Sequence, residues 1–127
     1  MTDRRLLVAI VDDEEPVRKA LRRLLLSAGI DVETFASGDE FLAAMGSDHR
    51  PDCAVIDLHL PGLSGLEVQE RIAEAGIRLP TVIITGNDQT GVEERVLAAG
   101  AFTYLSKPLD DKILLAAVAE AVRGAGE

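Results

Sequence analysis

Short apolar runs alternate along the chain with longer segments whose apolar residues recur every three or four positions. The short runs predict buried strands, because they are brief and are bounded by turn-forming or charged residues. The longer segments predict amphipathic helices, since this spacing places the apolar side chains on one helix face. The predicted strands span residues 6–11, 32–35, 53–58, 81–85 and 102–105.

Each predicted strand is followed by a predicted helix, and several of these helices have recognisable ends. The first helix begins at Glu15 and ends at Gly29, because glycine accepts the left-handed conformation common just past a helix terminus. Ser37 and Ser64 can cap the second and third helices through their hydroxyl oxygens. Gly100 closes the fourth helix, and the fifth follows Pro108.

Five strand and helix pairs in strict alternation predict an α/β fold with a parallel sheet, because parallel neighbours need crossover connections. A closed eightfold barrel needs about twice this length. The remaining architecture is an open, doubly wound, five-stranded sheet with the flavodoxin-like strand order 2-1-3-4-5 and helices on both faces. Ligands of such sheets bind at the carboxyl ends of the strands, where the order reverses between strands one and three.

Length and charge limit the possible functions. The 127 residues predict one domain over 1–127, and the glycines near the end suggest that a linker starts within 123–127. The formal net charge is −9, so this domain is not expected to bind nucleic acid directly. No apolar stretch approaches the roughly 20 residues of a membrane span, which predicts a soluble, cytoplasmic protein. The single cysteine, Cys53, excludes an internal disulfide.

Unusual polar residues lie at the predicted carboxyl edge of the sheet. Asp12 and Asp13 follow strand one, Asp57 lies near the end of strand three, Thr85 ends strand four, and Lys107 follows strand five. Strands one and three are neighbours in the predicted order, so three carboxylates should meet there. Unpartnered like charges repel one another, and a bound divalent cation would relieve this repulsion.

The predicted ligands are all oxygen atoms, which favours a hard cation. Mg²⁺ fits best, because it is usually held by one or two carboxylates together with waters and phosphate oxygens. A carboxylate can itself attack phosphorus to give an aspartyl phosphate, and we predict Asp57 as this nucleophile. Lys107 and the Thr85 hydroxyl would then stabilise the charge on the transferred group.

These residues, in this order, resemble the receiver domains of bacterial two-component response regulators. The resemblance covers essentially the whole chain. It rests on Val-Asp-Asp-Glu at 11–14, Asp-Leu-His-Leu-Pro-Gly at 57–62, Thr-Gly at 85–86, and Gly-Ala and Tyr-Leu-Ser-Lys-Pro at 100–101 and 104–108. Each motif alone is weak, but the ordered set is specific.

Two further runs, at 33–37 and 83–86, look more like receivers of the nitrogen-fixation regulator type, whose output is a helix-turn-helix domain. The resemblance implies a phosphorylation-dependent switch that accepts its phosphoryl group from a sensor histidine kinase and controls an output domain or partner protein. Such a domain is not an enzyme beyond catalysing its own phosphotransfer and dephosphorylation.

The resemblance also assigns roles at the metal and acceptor site. Asp12 and Asp13 would hold Mg²⁺ together with Asp57 and the backbone carbonyl of His59. Asp57 would be the phosphorylated residue. For Asp12 and Asp13 taken alone, helix capping is the more usual role, and a lone loop histidine such as His59 usually faces solvent.

The switch residues implied by the resemblance are Thr85 and Tyr104, with the hydroxyl moving toward the phosphoryl group and the aromatic ring turning inward. Lys107 would contact the phosphoryl group, and the Lys107–Pro108 peptide bond would be cis, which proline permits at modest cost. The face near the fourth helix and fifth strand would signal to the output. The apolar-rich fifth helix suggests a homodimer that phosphorylation strengthens.

A small phosphatase with an aspartyl-phosphate intermediate is one alternative. Such an enzyme would normally carry its nucleophile after strand one with a second acid two residues further on, whereas Asp12 and Asp13 are adjacent. It would also need a substrate cap, and the chain has no insertion to build one.

A flavodoxin-type mononucleotide carrier is a second alternative with the same fold. It would need a phosphate-binding loop rich in glycine or hydroxyl groups after strand one. The chain has four consecutive acids at 12–15 instead, and these repel a phosphate.

Overall fold

The computed structural model describes residues 5–46, 50–86 and 91–125. Strands and helices alternate through these ranges, as the hydrophobic pattern predicts. The strands are β1 (Leu7–Val11), β2 (Asp31–Phe35), β3 (Cys53–Asp57), β4 (Thr81–Thr85) and β5 (Thr103–Ser106). The helices are α1 (Glu15–Ser27), α2 (Gly38–Ala44), α3 (Gly65–Glu74), α4 (Val92–Ala98) and α5 (Asp111–Ala125).

The strands form one parallel sheet in the order β2-β1-β3-β4-β5, which confirms the predicted flavodoxin-like order. The register aligns Val11 of β1 with Phe35 of β2 and with Ile56 of β3. Asp57 of β3 is aligned with Ile84 of β4, one residue before Thr85. The carboxyl ends of the three central strands are therefore nearly level, so side chains at these ends lie side by side.

The core has two layers, one on each face of the sheet. Alternate residues of each strand point to opposite faces, so Ala9 and Val11 enter one layer while Val8 and Ile10 enter the other. The first layer is completed by side chains of α2, α3 and α4, and the second by side chains of α1 and α5. Helices thus cover both faces, as the doubly wound architecture requires.

The predicted helix ends are confirmed. The Ser37 hydroxyl accepts from the backbone N–H of Glu40 at 3.1 Å. Ser64 and Glu67 form a reciprocal capping box at the start of α3. Gly29 follows the end of α1 with a φ of 83°, which is the left-handed conformation expected there.

Four strands differ by one residue from the sequence-based expectation, since β1 begins at Leu7, β2 begins at Asp31, β3 ends at Asp57 and β5 ends at Ser106. Strand β5 begins at Thr103 rather than residue 102, because Phe102 lies before the strand with 44% of its surface exposed. The linker expected to start within 123–127 stays a prediction, and residues 123–125 belong to α5. Helix α5 continues through Ala125, since Ala121 is still buried in the core and Gly124 packs against the Phe102 ring, where a Cβ would lie 3.4 Å from a ring carbon. Residues 126 and 127 lie outside the described residues.

Among the described residues, every helix is too short or too polar to cross a membrane.

Candidate functional site

The structure brings the five predicted site residues to the carboxyl edge of the sheet. Asp12 follows β1, Asp57 ends β3, Thr85 ends β4, and Lys107 follows β5. Asp13 extends from the first turn after β1. Because β1 and β3 are neighbours, residues more than forty positions apart in the sequence face one another across the strand order reversal.

Three carboxylates form the acidic part of the site. Asp12, Asp13 and Asp57 each offer a ligand oxygen, and these oxygens lie within 4.8 Å of one another. The Asp12 and Asp57 residues are almost fully buried, with 3% and 5% of their surfaces exposed, whereas Asp13 is exposed. The cluster therefore has a buried floor of two acids and an open side at Asp13.

The two buried carboxylates are each fixed through one oxygen. Oδ1 of Asp12 accepts a hydrogen bond from the Glu14 backbone N–H at 2.8 Å. Oδ1 of Asp57 accepts from the His59 backbone N–H at 3.0 Å. In both residues the other oxygen, Oδ2, faces the Lys107 ammonium.

Lys107 supplies the positive charge of the site. Its Nζ lies 3.3 Å from Oδ2 of Asp57, 3.8 Å from Oδ2 of Asp12 and 3.9 Å from Oε1 of Glu14. The Lys107 backbone N–H donates to the carbonyl of Thr85 at 2.7 Å, and the peptide bond to Pro108 is cis. Burial lowers the Lys107 pKa, but the three carboxylates, Asp57 foremost, outweigh it and raise the pKa above 10.5.

Burial has a clear electrostatic cost at Asp12. Desolvation of the carboxylate is the main cause that raises its pKa from 3.8 to about 6, and the neighbouring Asp57 carboxylate adds to the rise. The Glu14 N–H and the Lys107 ammonium act in the opposite direction without cancelling it. The pKa of Asp12 therefore stays raised although Lys107 lies nearby.

The donor set fits a hard divalent cation. All the clustered ligand atoms are carboxylate oxygens, which Mg²⁺ and Ca²⁺ prefer over the softer metals. A bound cation would favour the ionised form of Asp12, whose pKa is raised mainly by burial and further by the Asp57 carboxylate. Few protein ligands and an open side, at Asp13, favour Mg²⁺, which keeps several waters.

The remaining predicted residues surround this cluster. Thr85 is fully buried at the end of β4. Tyr104 is aligned with Ile83 in the sheet and packs, partly buried, against the core layer formed with α2, α3 and α4. His59 is exposed, as expected for a loop histidine, and its backbone contributes the N–H that fixes Asp57.

Sequence reasoning missed three residues that shape the site. Arg18 donates to the backbone carbonyl of Asp12 at 2.8 Å. Glu14 adds a third carboxylate near Lys107. Gly65 lies against the backbone of Asp57. Only the position of Glu14 beside the acidic pair gave a signal in the sequence, whereas the other two contacts depend on how α1 and α3 dock on the sheet.

The fold and site together define a class of α/β protein. Its members have an acidic pocket where the strand order reverses and a lysine just after the last strand. A family model described as the response regulator receiver domain matches residues 8–119. The chain belongs to this family, whose members act as phosphorylation-dependent switches, receive phosphate from histidine kinases and control output domains. They are signalling domains rather than classical enzymes.

Individual relatives agree with this assignment. Nodulation protein W of Bradyrhizobium diazoefficiens is 38% identical over 115 residues, covering 91% of this chain and 50% of that protein. The transcriptional regulatory protein FixJ of Rhizobium meliloti is 36% identical over 114 residues, covering 90% of this chain and 55% of that protein. The chain thus spans about half the length of these curated relatives.

A solved structure shows the same fold. The crystal structure of a response regulator receiver protein from Burkholderia phymatum superposes with a TM-score of 0.83 and 43% sequence identity. The match covers 94% of this chain and 96% of that one.

Proposed function

We propose that residues 1–127 form a single receiver domain in which Asp57 accepts a phosphoryl group from a sensor histidine kinase. One observation carries the proposal: Oδ2 of Asp57 faces the Lys107 ammonium at 3.3 Å, inside a cluster of three carboxylates that can share a cation. A nucleophile, a charge-neutralising lysine and a metal-binding acid pair are thereby combined at one site.

In the proposed reaction an oxygen of the Asp57 carboxylate attacks the phosphorus of a phosphohistidine. The new P–O bond forms as the P–N bond breaks, and the imidazole leaves with the bond's electron pair and takes up a proton. Asp57 is suited to this attack because the His59 N–H holds Oδ1, while Oδ2 faces the Lys107 ammonium. Hydrolysis of the resulting acyl phosphate returns Asp57 and inorganic phosphate.

Asp12, Asp13, Asp57 and the backbone carbonyl of His59 would hold Mg²⁺ in this proposal. The ion would supply charge neutralisation for the phosphoryl oxygens. The chain itself contributes the orientation of these ligands, above all through the hydrogen bonds that fix Oδ1 of Asp12 and of Asp57.

Lys107 and Thr85 would bind the transferred group. Lys107 pairs with Asp57 in the structure and needs only a small movement to meet a phosphoryl oxygen on that residue. Thr85 lies at the end of the neighbouring strand, with its carbonyl bonded to the Lys107 N–H at 2.7 Å. A shift of Thr85 toward the phosphoryl group would therefore be coupled to the position of Lys107.

Thr85 and Tyr104 would form the conformational switch. Tyr104 lies on β5, the strand next to that of Thr85, and is partly buried, and its ring would turn inward on phosphorylation. Such a population shift would alter the face near α4 and β5, which we propose as the output surface. Phosphorylation should also strengthen a homodimer, since exposed Leu97 of α4 and Ile113 of α5 leave apolar area that a second copy could cover.

The proposed setting is a longer cytoplasmic regulator. The relatives named above are about twice as long as this chain, and one of them is a transcriptional regulator. We propose a helix-turn-helix output domain that binds DNA, while the receiver, with a net charge of −9, does not.

The proposal is tested with Mg²⁺ and acetyl phosphate as a small phosphodonor. The wild type should gain the mass of one phosphoryl group, and the gain should disappear in EDTA. Thr85→Ala should still be phosphorylated but should not dimerise more strongly by light scattering. Steady multiple turnover of a phosphomonoester, with no phosphorylated protein, would instead support a phosphatase.

A further inference from the structure

One side chain near the start of α1, that of Arg18, contacts the loop that carries the acidic pair. Arg18 lies in α1, three residues after its start, and its backbone N–H donates to the carbonyl of Glu14. The Arg18 guanidinium then donates from Nη1 to the backbone carbonyl of Asp12 at 2.8 Å in a partly buried contact. A helix side chain therefore holds the turn that carries the acidic pair.

The Asp12 carbonyl needs a partner at this point. Asp12 lies immediately after β1, which ends at Val11. Only 3% of the Asp12 surface is exposed. A carbonyl that is withdrawn from water and has no hydrogen bond is unfavourable. The loop conformation therefore depends on a hydrogen-bond donor for this carbonyl. Arg18 is the partner that the structure provides, with a charge-assisted bond.

Together with this bond, Asp12 is fixed at three polar groups. Its N–H donates to the Phe35 carbonyl at 3.1 Å, its Oδ1 accepts from the Glu14 N–H at 2.8 Å, and its carbonyl accepts from Arg18. Its Oδ2 faces Lys107 at 3.8 Å. The direction of this one ligand oxygen thus follows from contacts made elsewhere on the residue.

We infer that Arg18 is a positioning residue for the metal site, which sets the β1–α1 turn so that the Asp12 and Asp13 carboxylates point toward Asp57. This inference rests on the proposed function, since it assumes that the carboxylates bind Mg²⁺. Arg18 contacts neither the ion nor the phosphoryl group in this account. Its effect reaches them through the backbone of Asp12.

The test compares Arg18→Met and Arg18→Lys with the control Arg22→Met. Arg22 is exposed one turn further along α1, so its replacement removes the same charge from the same helix. Mg²⁺ affinity is measured by isothermal titration calorimetry with magnesium chloride alone. Phosphorylation by acetyl phosphate is then followed as a function of Mg²⁺ concentration.

Arg18→Met should raise the Mg²⁺ dissociation constant about tenfold, in the range found when groups that orient metal ligands are removed. Saturating Mg²⁺ should return its phosphorylation rate close to that of the wild type, because the reacting groups are unchanged. Arg18→Lys should give an intermediate dissociation constant, since lysine can donate one hydrogen bond but lacks the planar fork. Arg22→Met should bind Mg²⁺ as the wild type does.

An unchanged dissociation constant in Arg18→Met, with normal binding by the wild type, would overturn the inference and leave the proposed function intact. Equal weakening of Mg²⁺ binding in Arg22→Met would attribute the loss to the charge of α1 and would also overturn it. Should Arg18→Met not fold, the Arg18→Lys comparison decides. If the wild type itself binds no Mg²⁺, the proposed function fails first.

Discussion

Gly65 lies directly against the backbone of Asp57. A Cβ built on Gly65 would be 2.5 Å from the Asp57 carbonyl oxygen and 2.8 Å from the Leu58 Cα, closer than real Cβ atoms approach such groups. The Gly65 N–H donates to the Leu58 carbonyl at 2.9 Å, which draws the start of α3 onto the end of β3. The acceptor strand and the third helix therefore meet backbone to backbone.

We predict that Gly65→Ala will displace this backbone and lower both stability and phosphorylation. The free energy of unfolding should fall by about 1–3 kcal/mol, as for other overpacked sites, measured by urea denaturation. The acetyl phosphate reaction should slow at the same time, because the Asp57 carboxylate moves with its backbone. Gly46→Ala is the matched control, since nothing lies within 4 Å of its Cβ position. Equal behaviour of the two variants would contradict this account.

Lys107→Met should separate metal binding from phosphotransfer. The ammonium lies 3.3 Å from Asp57 and 3.8 Å from Asp12, so it competes with a cation for the same carboxylate oxygens. Removing it should leave the Mg²⁺ dissociation constant unchanged or lower it, whereas phosphorylation should slow by about 100-fold, as when one charge-stabilising donor is lost. Lys112→Met, at an exposed position of α5, serves as the control. A large loss of Mg²⁺ affinity in Lys107→Met would argue against this role.

The metal-free protein should lose stability as pH rises from about 4 to 6. Asp12 has a pKa of about 6 in the fold against 3.8 ordinarily, so between these values the folded state binds more protons than the unfolded state. The raised pKa of Asp12 destabilises the fold by roughly 2–3 kcal/mol, and this destabilisation is fully present above pH 6. In EDTA, Asp12→Asn should exceed the wild type in free energy of unfolding at pH 7.5, and the difference should shrink toward pH 4.5. A difference independent of pH would contradict the prediction.

A buried polar bridge should contribute to stability without affecting the site. The Thr81 hydroxyl donates to Oε1 of Gln69, whose Nε2 donates to the Ala99 carbonyl at 3.3 Å, and both side chains are at least 98% buried. Gln69→Leu should lower the free energy of unfolding by about 1–3 kcal/mol, because it leaves the Thr81 hydroxyl unsatisfied.

Thr81→Val added to Gln69→Leu should recover part of this loss, since both partners of the hydroxyl bond are then apolar. Urea denaturation of the single and double variants measures the coupling between the two residues. Phosphorylation should stay at the wild-type rate in each case. Additive losses of stability would show that the bridge is not a coupled unit.

The sequence predicts the sheet well because it shows two clear patterns. Short apolar runs indicate strands, and apolar residues spaced every three or four positions indicate helices. Five apolar runs separated by helical spacing lead to a parallel sheet, and the residues that follow those runs then lie at its carboxyl edge. The strand order therefore predicts that one site contains Asp12, Asp57, Thr85 and Lys107. The strand order matters most, because it makes β1 and β3 neighbours.

Contacts between elements could not be predicted in the same way. The bond from Arg18 to Asp12 and the approach of Gly65 to Asp57 depend on the docking of helices, which a local pattern does not specify. The end of α5 is similar, because Gly124 suggests the start of a linker in the sequence but lies within α5, next to the Phe102 ring, in the fold. Local composition was therefore a poor guide where tertiary packing decides.

The most direct test of the account is the chemical identity of the phosphorylated residue. Borohydride reduces an acyl phosphate to an alcohol, so an aspartyl phosphate becomes homoserine, whereas a phosphohistidine is not converted. After reaction with acetyl phosphate and Mg²⁺, reduction and peptide mass spectrometry should find homoserine at position 57, and Asp52→Asn, altered at the residue just before the same strand, should give the same product. Homoserine at position 12 or 13, or a phosphoryl group retained on His59, would contradict the account.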